Sequence, residues 1–192
     1  MKKIMLAVSR IWYFFWGNIA VWLLYERKYL KGEWFKGKYS AVFAPGWKWV
    51  YYDAKDRLFH GKNVGVPWPV SGETTVIAPE NITFDSEDLR NFQMPGNYFQ
   101  AIDAHLTIGK GTWIASNIGL ITSNHAIHNP KVRGKAGDIN IGENCWIGMN
   151  SVILPGVTLG NHTIVGAGSV VTKSFEGNCV IAGNPAKIIR HV

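Results

Sequence analysis

The sequence predicts an all-β fold, a parallel β-helix of hexapeptide repeats, carrying an N-terminal helical and aromatic appendage and a short C-terminal helix. A six-residue period, a break in charge and tryptophan usage, and a Pro-led basic tail predict it. From residue 102 the text divides into IDAHLT, IGKGTW, IASNIG and LITSNH, and after residue 140 it resumes as IGENCW, IGMNSV, ILPGVT, LGNHTI, VGAGSV and VTKSFE. Every block opens on Ile, Leu or Val, and Val70, Val76 and Ile82 keep the same spacing, which gives thirteen blocks. Six matches neither the strand period nor the helix period. Six residues do make one short strand and a turn, and three such sides close a coil. The opening aliphatic then points inward, with Cys145, Ser151, Val157, Thr163 and Ser169 forming a second inward row. A little over four coils, stacked at about 4.8 Å, give a prism about 20 Å tall. So short a stack buries little core for its surface, so we expect an oligomer that covers its faces.

The break falls near residues 65–70. Residues 1–62 hold twelve Lys/Arg against four Asp/Glu, and residues 63–192 hold eight against nine, so the net charge of +7 is N-terminal in origin. Seven of the nine Trp precede residue 69. We therefore divide the chain into an appendage at 1–68, a β-helix domain at 69–183 and a tail at 184–192. Within the appendage, 11-IWYFFWGNIAVWLL-24 is apolar between basic flanks, and residues 4–25 read as a helix. Fourteen helical residues cover about 21 Å, short of the roughly 30 Å hydrocarbon core. Arg10 interrupts the apolar run and no small-x-small cleavage site follows, so a removable leader fits poorly. Aromatic residues mixed with Lys and Arg through residue 39 suit peripheral contact with an anionic membrane surface. Packing on the body or a neighbouring subunit suits them equally, and both readings stand at this point. No nucleic-acid-binding motif accompanies the basic charge.

The chain is 47% hydrophobic and 17% charged, which excludes the disordered class. Cys145 and Cys179 lack ligand or redox spacing and read as buried thiols of a cytoplasmic protein. Two segments, 88–101 and 121–140, break the six-residue phase, and loops expelled from a regular coil are where function concentrates. The second contains His125 and His128 and the basic run 131-KVRGKAG-137, read as a flap. In 184-NPAKIIR-190, Asn184 as a cap and Pro185 as the first helical residue would set Lys187 and Arg190 on one helix face, suited to phosphates.

The stretch 139-INIGENCWIGMNSVILPGVTLGNHTIVGAGSVVTKSFEGNCVIAGNPAKIIR-190 resembles the hexapeptide-repeat acyltransferases of left-handed β-helix fold, the galactoside and maltose acetyltransferase type, including O-acetyltransferases of surface polysaccharides. The resemblance covers about 102–190 and leaves 1–68 unplaced. It implies acetyl transfer from acetyl-CoA, with no metal, to a hydroxyl of a sugar, in a polysaccharide or lipid-linked glycan precursor. It also implies a homotrimer with sites between subunits, in the cytoplasm or peripheral at the inner face of the plasma membrane. Its Gly-His-x-x-His element corresponds to Asn124, His125 and His128 here, which implies His125 as general base. An acceptor hydroxyl needs a base at hand, and a neutral imidazole supplies one near pH 7. Developing negative charge on the thioester oxygen calls for a donor such as a backbone N–H. The same resemblance implies cofactor contacts at Met149, where some members carry Ser, and at Ala167, Thr172, Lys187 and Arg190. For the acceptor it implies Asp103; Asn124 and His128, next to the base, and Gln100, in 97-NYFQA-101 beside the first interruption, are read as further contacts.

Two other readings share the coil. A γ-carbonic-anhydrase-like zinc hydratase needs three converging histidines, for which His105, His125 and His128 are the candidates. A non-catalytic β-helix would serve as an assembly module. No Gly-rich nucleotide-binding domain precedes the coils, which argues against a nucleotidyltransferase.

Overall fold

A computed structural model describes residues 2–36 and 40–192; Gly37, Lys38 and Tyr39, which end the aromatic stretch expected to meet a membrane, lie outside the described residues. The chain divides into two compact units, Met1–Gly72 and Glu73–Val192.

The first unit is helical. Helix α1 (Lys2–Leu24) fulfils the helix expected at 4–25, and α2 (Glu33–Lys36) and α3 (Gly46–His60) follow. Gly17 lets α1 approach α3 closely, since a Cβ there would stand 2.9 Å from the Trp47 ring. Phe14 meets Trp47 edge-on and Tyr13 packs on Tyr51 and Tyr52 around that contact. A buried ion pair holds α3 to the segment that follows it. Asp53 Oδ2 accepts from Arg57 Nε and Nη2 and from the Tyr25 hydroxyl, while Arg57 also donates to the carbonyls of Val66 and Trp68. Burial pushes the Asp53 carboxyl and the Tyr25 hydroxyl up. Val70, taken from the spacing as the first coil block, is buried in this unit instead.

The second unit is a left-handed parallel β-helix with three faces. The first face stacks β1 (Thr75–Ile77), β3 (Tyr98–Gln100), β6 (Gly119–Ile121), β11 (Val152–Ile153) and β14 (Val170–Val171). The second stacks β2 (Ile82–Phe84), β4 (Leu106–Ile108), β9 (Ile139–Ile141) and β12 (Thr158–Leu159). The third carries β5 (Trp113–Ile114), β10 (Trp146–Ile147), β13 (Ile164–Val165), β15 (Cys179–Gly183) and β16 (Ala186–His191). The six-residue period is the inward row of this coil: Ile108, Ile114, Leu120, Ile141, Ile147, Ile153, Leu159, Val165 and Val171 are all buried. The second row is buried too, from Cys145 and Ser151 to Val157, Thr163 and Ser169. Its hydroxyls are satisfied at corner carbonyls, as when Ser151 and Ser169 both donate to Gly166 O. Each buried aliphatic contributes about 1.5–3 kcal/mol relative to exposure, so the period fixes the register.

Both interruptions occur, with altered content. The first is shifted from 88–101: a 3-10 segment (Ser86–Gln93) that starts before residue 88 replaces one strand, and β3 resumes the coil inside that range, paired with β1 and β6. The second holds a hairpin, β7 (His125–Ala126) with β8 (Asn129–Arg133).

The C-terminal helix expected from Asn184 and Pro185 is not formed. Asn184-Pro185 is the cis turn of an antiparallel hairpin, and residues 186–191 pair with β15 as β16. The capping signal is local, whereas the ladder satisfies every second backbone group of β16 and buries Ala186, and β-branched Ile188 and Ile189 favour the strand.

Candidate active site

The site begins with the buried amide of Gln100 at the end of β3. Its Oε1 accepts from the backbone N–H of Thr122 at 3.0 Å and of Ser123 at 3.1 Å, and its Nε2 donates to Ser123 O at 3.1 Å. Thr122 adds a bond from its hydroxyl to Ile102 O. These bonds clamp the chain where it leaves the first face after β6. Expected as an acceptor contact, Gln100 has its carboxamide committed to backbone, which makes it a positioning group for the residues that follow.

Two residues beyond the clamp, His125 opens the hairpin with an exposed side chain, beside exposed Asn124. Gly134 N–H donates to Asn124 O at 2.7 Å and Gly137 N–H to Thr122 O at 2.9 Å, closing the excursion at its base. A Cβ at Gly134 would stand 3.2 Å from the carbonyl oxygens of Asn124 and His125, so the close approach suits glycine. His128 is at the hairpin tip, exposed and beyond the clamp.

Arg133, the partner of His125 in the hairpin register, reaches back to the coil and donates from Nη1 to Asp103 Oδ2 at 2.9 Å. Asp103 occupies a left-handed turn, φ 59°, which Asp tolerates better than most residues. It is thus both a turn residue and a carboxylate presented at the foot of the flap. Arg133 stands opposite His125 in the backbone register and reaches Asp103 with its side chain, a link that the sequence alone does not assemble. Arg133 was visible only as part of the basic run, because its pairing depends on hairpin register.

The residues expected at the cofactor gather elsewhere on the coil. Met149 and Ala167 are exposed and stack at the corner that leads into the first face, where Gly168 N–H donates to Met149 O at 2.8 Å. Gly148 makes that corner tight, since a Cβ there would lie 2.6 Å from Val165 O and 2.7 Å from Ala167 N. Exposed Thr172 follows β14 at the opposite edge, the edge from which the hairpin departs. Four residues lie between Ala167 and Thr172, and only Val170–Val171 is strand, so the two are at most about 16 Å apart. One chain therefore sets its histidine and its Met149–Ala167 corner on opposite edges of one face.

Lys187 and Arg190 lie on β16, where three positions apart would normally mean opposite faces. A bulge alters this: Ile181 pairs with Ile188 and Val180 with Arg190, leaving Ile189 as the extra residue. Lys187 pairs with Ala182, so both cations share the face of Val180 and Ala182 and both are exposed. The expected shared face exists, on a bulged strand instead of a helix.

His105, His125 and His128 do not converge; among the described residues no three His, Cys, Asp or Glu side chains could hold a metal ion.

Residues 138–173 match the family model described as bacterial transferase hexapeptide (six repeats). The chain is 42% identical over 108 residues to the galactoside O-acetyltransferase of Escherichia coli (strain K12), covering 54% of this chain and 52% of that one. It thus spans about half the length of the curated relatives it matches. Among solved structures, AntD, an N-acyltransferase from Bacillus cereus in complex with dTDP-4-amino-4,6-dideoxyglucose and coenzyme A, superposes at a TM-score of 0.51 with 16% identity over 64% of this chain and 79% of that one, a likeness of fold. A maltose O-acetyltransferase from Clostridium difficile 630 is 34% identical at a TM-score of 0.45 over 50% of this chain and 52% of that one.

Proposed function

We propose, from the match of residues 138–173 to the bacterial transferase hexapeptide model, that the chain is an acetyl-CoA-dependent O-acetyltransferase acting on a sugar hydroxyl. The observation that carries this reading is His125, exposed two residues beyond the Gln100 clamp and beside the Arg133–Asp103 pair, in a chain so similar to a galactoside O-acetyltransferase. His125 takes the proton of the acceptor hydroxyl, and Asp103, Asn124 and His128 hold neighbouring hydroxyls. Acetyl-CoA supplies the acetyl group as a thioester. The exposed Met149–Ala167 corner and Thr172 suit an extended pantetheine arm, and the paired cations Lys187 and Arg190 suit its phosphates.

The separation of His125 from that corner favours a homotrimer in which a second copy completes each site. The acceptor in this reading is a surface polysaccharide or a lipid-linked precursor. The protein works in the cytoplasm, in peripheral contact with the inner face of the plasma membrane through residues 4–39.

The test is incubation with acetyl-CoA and a panel of glycans, following free coenzyme A thiol and acceptor mass together. We expect an added acetyl group on at least one glycan and trimeric mass by light scattering. Failure of the wild-type protein to bind coenzyme A would remove the enzyme reading.

A further inference from the structure

We infer that the outer face of α1, with the groove between α1 and α3, is a seat for the surface of an anionic phospholipid bilayer; the inference rests on the membrane contact proposed above and gives it residues and a lipid chemistry. A surface helix ordinarily turns a polar face outward. Helix α1 does not. Its inner row, with Gly17 and Val21 buried, packs within the unit, while Val8, Ile11, Trp12, Phe15, Ile19 and Trp22 recur at helical spacing on the other side, 43–77% exposed. No charged residue falls between Ile11 and Leu24. The stripe continues into a groove of about 380 Å³ lined by Trp12, Trp16, Ile19 and Leu23 of α1 and by Leu58 and Phe59 of α3, with Lys55 on its wall. Leu58 and Phe59 are 72% and 73% exposed.

Charge identifies the occupant. The twelve Lys/Arg of residues 1–62 face only four Asp/Glu, and buried Arg57 already engages Asp53. Arg27 stacks 4.4 Å above the ring of Trp22, fixing a cation at one end of the stripe. A second copy would bring like charge against like charge, whereas an anionic headgroup layer meets both the cations and the tryptophans, whose rings favour the lipid–water boundary. The exposed apolar row along one side of α1, with Val21 buried on the other, sets the helix in the plane of the interface; no described helix is long and apolar enough to cross a membrane.

The test is flotation of the full chain with phosphatidylglycerol/phosphatidylethanolamine vesicles and with phosphatidylcholine vesicles. We expect binding to the anionic vesicles, weakened at least tenfold on phosphatidylcholine and by 1 M salt, where the screening length shrinks to about 3 Å. Phe15→Glu/Trp22→Glu should lose binding to both vesicles, and Arg27→Glu/Lys55→Glu only the preference for anionic lipid. Unchanged circular dichroism would show that these exposed substitutions leave the fold intact, and Phe15→Ser/Trp22→Ser, with no added charge, should reproduce the loss. Wild-type protein that stays with the soluble fraction, or a Phe15→Glu/Trp22→Glu change in assembly mass by light scattering, would overturn the inference. Acetyl transfer to a soluble glycan is measured separately, so the catalytic reading survives or fails on its own.

Discussion

Arg133 donates to Asp103 Oδ2 at 2.9 Å across thirty positions of sequence, and the same arginine stands opposite His125 in its hairpin. Both partners of this ion pair are more than half exposed. An exposed pair of this kind contributes roughly 0.2–1 kcal/mol to stability, so Arg133→Ala should scarcely move the melting temperature. In the proposed site Asp103 bonds the acceptor, and losing a hydrogen bond to a charged group costs about 1.5–3 kcal/mol, or about tenfold and more. Asp103→Asn should therefore raise the acceptor KM by about tenfold while leaving coenzyme A binding unchanged, which steady-state kinetics and calorimetry can separate.

Gln100→Leu tests the clamp. The substitution strips the side-chain acceptor from the buried Ser123 N–H, and an orphaned buried donor costs about 1–3 kcal/mol. Chemical denaturation should report that loss. Displacement of His125 by about 1 Å should lower kcat by up to 100-fold with little change in coenzyme A affinity.

The sequence carried the coil because its signal is repetitive: Ile141, Ile147, Ile153 and Leu159 each repeat one inward position, and all are buried. The same reading failed at 184–190, where Asn184 and Pro185 imitate a helix start while strand pairing with β15, a non-local term, decides the outcome. Gln100 follows the same pattern, a local signal with non-local partners. Its polar side chain beside an interruption suggests a ligand contact, and only the fold reveals that backbone amides across the stack consume it. His125, singled out on the resemblance, is exposed at the base of the hairpin, but its relation to Arg133 needed the register of β7 and β8.

Lys187 and Arg190 share a face through the bulge at Ile189. Replacing both with Ala should raise the coenzyme A Kd by about tenfold or more, given about 1.5–3 kcal/mol for each charge-assisted bond lost. Deleting Ile189 would make the strand regular and leave the two cations two positions apart on the same face, so coenzyme A binding should be retained. Isothermal titration of the two variants checks both statements.

Cys145 is buried in the second inward row, and burial pushes its thiol up. The native state thus holds the proton more tightly than the unfolded chain. Its contribution to stability is fully present below the unfolded thiol value, near 8.5, and is lost as pH rises through the higher native value. Iodoacetamide at pH 8 should leave Cys145 unlabelled until denaturant is added. Cys145→Ala should flatten the fall in stability above pH 8.5.

The central claim is that His125 supplies the base for acetyl transfer. Its most direct measurement pairs coenzyme A calorimetry with the acetyl-transfer rate for wild type and His125→Ala. The account predicts unchanged coenzyme A affinity and a kcat lower by about 10²–10⁴-fold, the range for general base catalysis. Wild-type rates in a folded, cofactor-binding His125→Ala protein would contradict it.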